Sequence, residues 1–125
     1  MKAYTDLEQS KKLAEILPLE SADMFYTSLN SDYPWIWIDK HLMEVEDIPC
    51  WSLGALYSIL PNNKRESTTL SRGGWKIDTI EYMPNTWWCE YEDNENPTKY
   101  FNTSADNSVD ACYEMILKLH EMNLL

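Results

Sequence analysis

Two prolines constrain this chain more than any other feature. Pro49 and Pro61 enclose the run Trp51-Ser52-Leu53-Gly54-Ala55-Leu56-Tyr57-Ser58-Ile59-Leu60, which is apolar on nearly every side. Proline lacks an amide hydrogen and has a fixed φ, so it suits a helix's first turn, and a helix ends at or before the residue preceding one. The spacing predicts a helix with Pro49 in its first turn, continued by the run over 51–60 and stopped by Pro61. A helix apolar all round has to be buried, so the rest of the chain is expected to wrap around it as one core. Gly54 within it costs about 1 kcal/mol relative to alanine, which predicts close approach of another element there. The run is too short to cross a bilayer.

The flanking pattern supplies the other elements. Thr5 with Glu8 three residues on is a capping box, and Asp6 favours a helix N-terminus. Leu7, Leu13, Ala14 and Leu17 then share one face until Pro18, which predicts a helix over 6–17. Residues 19–33 carry only a weak signal, with a short helical turn within 21–29. Trp35-Ile36-Trp37-Ile38 reads as a strand, its alternative being an exposed hydrophobic loop. Residues 41–47, with Glu44, Glu46 and Asp47, read as a solvated loop.

Beyond Asn62 the pattern becomes β. A strand over 67–72 is expected to turn at Gly73-Gly74. Strands over 75–83 and 86–93 are expected to join at Pro84-Asn85, placing Tyr82 opposite Trp87 and Ile80 opposite Cys89. These four would share the core face with Tyr91, leaving Ile77, Thr79, Glu81, Trp88, Glu90 and Glu92 on the other. A last strand over 98–102 precedes a helix capped by Asn107 or Ser108, with Asp110 in its first turn. Its stripe is Val109, Cys112, Tyr113, Ile116 and Leu119. The fold class is α+β: an antiparallel three- to four-stranded meander packed with about three helices, in one domain over 1–125.

Charge narrows the partners. Ten basic against 21 acidic side chains give a net charge of −11. Such a surface repels nucleic acid and anionic lipid, so neither direct nucleic-acid binding nor a membrane is expected, whereas a protein with a basic surface fits. Solubility alone also explains the excess. The three cysteines, Cys50, Cys89 and Cys112, lack CxxC spacing, and the opening residues are polar rather than signal-like, so a cytoplasmic protein is expected.

The chemistry-bearing residues are scattered. His41, Cys50, Cys89, Cys112 and His120 show no paired metal-ligand spacing, so no metal and no cofactor are expected, and Cys89 and Cys112 read as core. No nucleophile elbow or phosphate-binding glycine loop is present. A couple of Cys50, near a helix N-terminus, with His41 would be a thiolate and its base. Glu44 with Glu46, or Glu90 with Glu92, could pair as acid and base, although an acidic solvated face explains them equally. Of six tryptophans, Trp51 and Trp87 are assigned to the core. Trp88 and one of Trp35 and Trp37 are candidates for exposure.

Three stretches together carry a resemblance: TDLEQSKKLAEILPLESADM from Thr5, DIPCWSLGALYSILP from Asp47, and DACYEMILKL from Asp110. In that order and spacing the chain resembles a group of small proteins of unknown function from gut Bacteroidetes, many carried on prophages or other mobile elements. The resemblance covers about half the chain and transfers no activity or site. It implies a context only, a bacterial cytosolic accessory of phage or mobile DNA.

The leading expectation is a non-catalytic interaction protein that meets a basic partner through Trp37, Trp88, Glu90 and Glu92. The alternatives are a small enzyme using carboxylates or the Cys50 and His41 couple, and a homo-oligomeric assembly protein.

Overall fold

The computed structural model describes residues 2–27, 35–38, 42–76 and 79–125. His41 and Ile77 therefore lie outside the described residues. Within them the fold is α+β, with α1 (Leu7–Ala14), a single 3-10 turn (Leu19–Ser21), β1 (Met24–Thr27), β2 (Trp35–Trp37), β3 (Ile48–Cys50) and α2 (Leu53–Ile59). These are followed by β4 (Glu66–Arg72), β5 (Trp75–Lys76), β6 (Glu81–Tyr82), β7 (Trp87–Asp93), β8 (Tyr100–Ala105) and α3 (Ser108–Glu121). The strands form two three-stranded antiparallel sheets, β2-β1-β3 and β4-β7-β8, and a two-stranded arm, β5-β6.

The centre of the molecule is α3 rather than α2. Asn107 caps it by accepting from the Asp110 amide, and Val109, Ala111, Cys112, Met115, Ile116 and Leu119 are wholly buried. Only Tyr113 of the expected stripe remains half-buried. The helix lies on the inner face of the second sheet, where it meets Cys89 and Tyr91, and on Leu56 and Leu60 from the α2 region.

The proline-bounded run divides differently from its prediction. Pro49 sits inside strand β3, Trp51 is extended and wholly buried, and Ser52 caps a helix that begins only at Leu53. In α2 only Leu56 is fully buried, and Gly54, Tyr57 and Ser58 are exposed. Among the described residues no other element approaches Gly54: an added Cβ would meet only Ser52 Oγ, at 3.8 Å. Gly54→Ala is accordingly expected to stabilise the fold by up to about 1 kcal/mol, read as a raised urea midpoint at unchanged slope.

The first helix is shorter than 6–17 and is capped one residue later than expected. Asp6 accepts from the Gln9 amide at 2.8 Å, and Gln9 Oε1 accepts from the Asp6 amide at 3.1 Å, closing a capping box. Thr5 cannot cap because its hydroxyl is buried beside Ser10 Oγ (2.8 Å) and accepts from the Trp51 amide (3.2 Å). The short helical turn expected within 21–29 is not found in the described part of that range: a 3-10 turn at Leu19–Ser21 reaches only its first residue and strand β1 occupies Met24–Thr27, while residues 28 and 29 lie outside the described residues.

The hairpin is also re-registered. Gly73-Gly74 is no turn: the chain runs on into β5, and β4 rather than 75–83 pairs with β7, Arg72 opposite Trp87 and Glu66 opposite Asp93. Gly73, at φ +79, and Gly74 face the four residues Met83–Thr86, held by Gly73 N–H to Thr86 O (2.7 Å) and Met83 N–H to Gly74 O (2.8 Å). Tyr82 and Ile80 consequently leave the core face for the exposed arm, where Tyr82 packs on Trp75 with ring centroids 5.4 Å apart. The last strand lies at Tyr100–Ala105 instead of 98–102.

Candidate interaction surface

Strand alternation builds the surface. On β7, Cys89, Tyr91 and Asp93 point to the helix and are buried, so Trp88, Glu90 and Glu92 point away from it. Antiparallel register then aligns their neighbours. Ser71 and Ser104 flank Trp88, Thr69 and Asn102 flank Glu90, and Ser67 and Tyr100 flank Glu92. Thr69, Ser71, Glu92, Tyr100, Asn102 and Ser104 are exposed, so this face lies open while α3 covers the other. No Lys or Arg occupies any of these outward positions.

Electrostatics link the outer strands. Partial burial, the nearby Glu90 charge and a hydrogen bond to Glu90 push the Tyr100 phenol above its ordinary value. The pair bridges β7 and β8 diagonally. At one edge, Trp88 is half-buried rather than freely exposed. Its Nε1 is buried and has no hydrogen-bond partner among the described residues, and a Cβ on Gly74 would stand 3.0 Å from it. Gly74 is the residue that lets the arm's backbone close over the indole.

Of the expected contacts, the structure brings together Trp88, Glu90 and Glu92. Trp37 belongs to the other sheet, on β2, and is exposed there together with Trp35. Residues two apart on a strand share a face, so both tryptophans are outward, not one. Trp51 is in the core as expected, and Trp87 is half-buried against it. Tyr100 and Trp75 are further exposed aromatics with no local signal of exposure, and Tyr82, expected on the core face, is exposed as well.

The catalytic alternative gains little from the described residues. Cys50 is wholly buried, and its thiol donates to the Thr5 carbonyl at 3.4 Å. Burial pushes that thiol up, against the thiolate a nucleophile requires. Glu44 and Glu46 stand exposed on a turn, and Glu90 and Glu92 lie on an open face. Cys89 and Cys112 are buried together between β7 and α3. No described helix is long and apolar enough to cross a membrane. No protein-family model, curated protein or solved structure matches the chain.

Proposed function

We propose that this protein is a non-catalytic interaction module whose partner is a protein with a basic surface, bound on the open face of the β4-β7-β8 sheet. One observation carries the reading. A sheet buried by a helix on one side presents Glu90, Glu92 and Tyr100 in register on the other, beside a pinned Trp88 and without a basic residue. Aromatic anchors within a polar, single-sign surface suit protein recognition, because the rings supply buried area and the charges select and steer the partner. The net charge of −11 extends the reading to a mimic of nucleic-acid charge, seated in the basic groove of a DNA-processing or defence enzyme in a bacterial cytosol.

The test is affinity capture by tagged protein from a gut Bacteroidetes lysate at low and moderate salt, beside the double variant Glu90→Lys/Glu92→Lys. One protein recovered near stoichiometry by the wild type is expected to be lost with the variant, and its on-rate to fall about tenfold or more. Both substitutions replace outward side chains, so circular dichroism should be unchanged. Equal capture by the variant would refute the assignment of this face. Light scattering of the pure protein separates the same reading from a homo-oligomeric assembly role.

A further inference from the structure

A second feature lies away from that sheet. The 3-10 turn, β1 and the 42–47 segment border a half-open concavity of about 610 Å³ lined by Leu19, Glu20, Ala22, Met24, Met43, Glu44 and Val45. We propose that it binds a small molecule with an apolar body and one positive charge, of the alkyl- or arylammonium class.

The volume is the first support, since pockets for small organic ligands span roughly 300–1,000 Å³. The lining is the second. Ala22 is buried and Met24 and Met43 are half-buried, so an apolar floor lies beneath a mouth edged by Leu19 and Val45. Val45 is fully exposed and Leu19 is 54 % exposed. Two such side chains beside one concavity gain nothing from the fold as it stands, but would be covered by an apolar ligand. Methionines in the floor adapt to varied shapes.

Charge decides the class. Residues 19–24 and 42–47 hold Glu20, Asp23, Glu44, Glu46 and Asp47, and no Lys or Arg. Asp23 accepts from the Ser52 amide and hydroxyl, and Asp47 accepts from the Glu44 amide at 2.8 Å. The second bond closes the turn that holds Val45 at the mouth, so this part of the wall is pre-formed. Glu44 itself is exposed at the rim. A cation with its body in the cavity would meet that carboxylate, whereas an anion would meet like charge at the same rim.

The experiment uses the full chain labelled at its methionine methyls, titrated with octylammonium, octanoate and octanol below their aggregation limits. Octylammonium is expected to shift the Met24 and Met43 methyls along a saturable curve, leaving Met83 and Met115 in place. Its binding should be about tenfold tighter than that of octanoate or octanol, from the added charge contact. Glu44→Lys should remove that advantage, and Leu19→Ser/Val45→Ser should weaken all three ligands. These positions are exposed, so the variants keep the fold. Equal binding of octylammonium and octanoate, shifts spread over every methyl, or unchanged affinity in both variants would overturn the proposal.

Discussion

Trp51→Ala is expected to remove about 3–5 kcal/mol of stability, the range for deleting a large aromatic from a packed interior. Domains of this kind hold a total of about 5–15 kcal/mol, so the loss takes a large share of it and the urea midpoint should fall sharply. The size follows from what the residue joins. Its side chain is wholly buried in the cluster with Leu13, Leu17 and Ala22, and its indole donates to Ser21 Oγ at 3.0 Å. Its backbone carbonyl accepts from the Thr5 amide at 2.9 Å, and its own amide donates to Thr5 Oγ1. One position thus ties the N-terminal segment, α1 and the 3-10 turn to the core. Trp51→Phe keeps most of the packing and loses one hydrogen bond, so roughly 1 kcal/mol plus a small cavity term should separate it from wild type. Urea unfolding followed by circular dichroism measures both; an alanine variant within about 1 kcal/mol of wild type would refute this role.

The same residue shows where sequence patterning fails. The run that follows Pro49 predicts one helix because it is apolar on nearly every side, but residues 49–60 divide between β3, an extended Trp51 and the short α2. Proline is tolerated in β3 because that strand lies at the edge of β2-β1-β3, where a missing amide breaks no second ladder. Trp51 then runs extended alongside Thr5, and the remaining residues suffice for only a short helix. Final helix α3 was legible for the opposite reason. Its cap, first-turn acid and apolar stripe all agree, and each feature is local.

The candidate surface was half legible. Trp88, Glu90 and Glu92 share a face by period-two alternation, which needs nothing beyond their own strand. Tyr100 joins them only through the β7-β8 register, which the loop between those strands does not encode in a readable way. The arm is not legible, because Pro84-Asn85 carries ordinary turn chemistry whereas the actual bulge sets two glycines against four residues. A shift of register moves side chains between faces, and Tyr82 and Ile80 moved from core to solvent as a result. Nothing local separates Trp37 from Trp88, because no sequence signal announces that β1, β2 and β3 form a second sheet.

The second large effect is expected at Asp110, where three donors converge on one carboxylate. Lys2 Nζ and Gln9 Nε2 donate to Oδ1 at 2.8 Å each, and Asn107 Nδ2 donates to Oδ2 at 2.8 Å. The group joins the N-terminal segment and α1 to the first turn of α3, across more than a hundred residues of chain. Burial disfavours its charge, yet the hydrogen bonds from Lys2, Gln9 and Asn107 outweigh that and hold the carboxyl below its ordinary value. Lys2 answers in kind: burial opposes its charge, but the bonds to Asp110 and Asp6 raise it. Asp110→Ala should therefore cost about 1–3 kcal/mol near neutral pH. The sign of the pH dependence follows from the two shifts. The carboxylate's contribution is complete above its unfolded value near 3.9 and is lost as pH falls through the lower folded value. That of Lys2 is complete below its unfolded value and is lost as pH rises through the higher folded one. Because the whole chain carries −11, acidification also relieves general repulsion, so the wild-type profile alone mixes two effects. The difference between wild-type and Asp110→Asn urea midpoints isolates the first. It should be level from mildly acidic to neutral pH and shrink at both the acidic and alkaline ends. A difference that stays constant into acid would show that the three donors stabilise the uncharged side chain as well as the carboxylate.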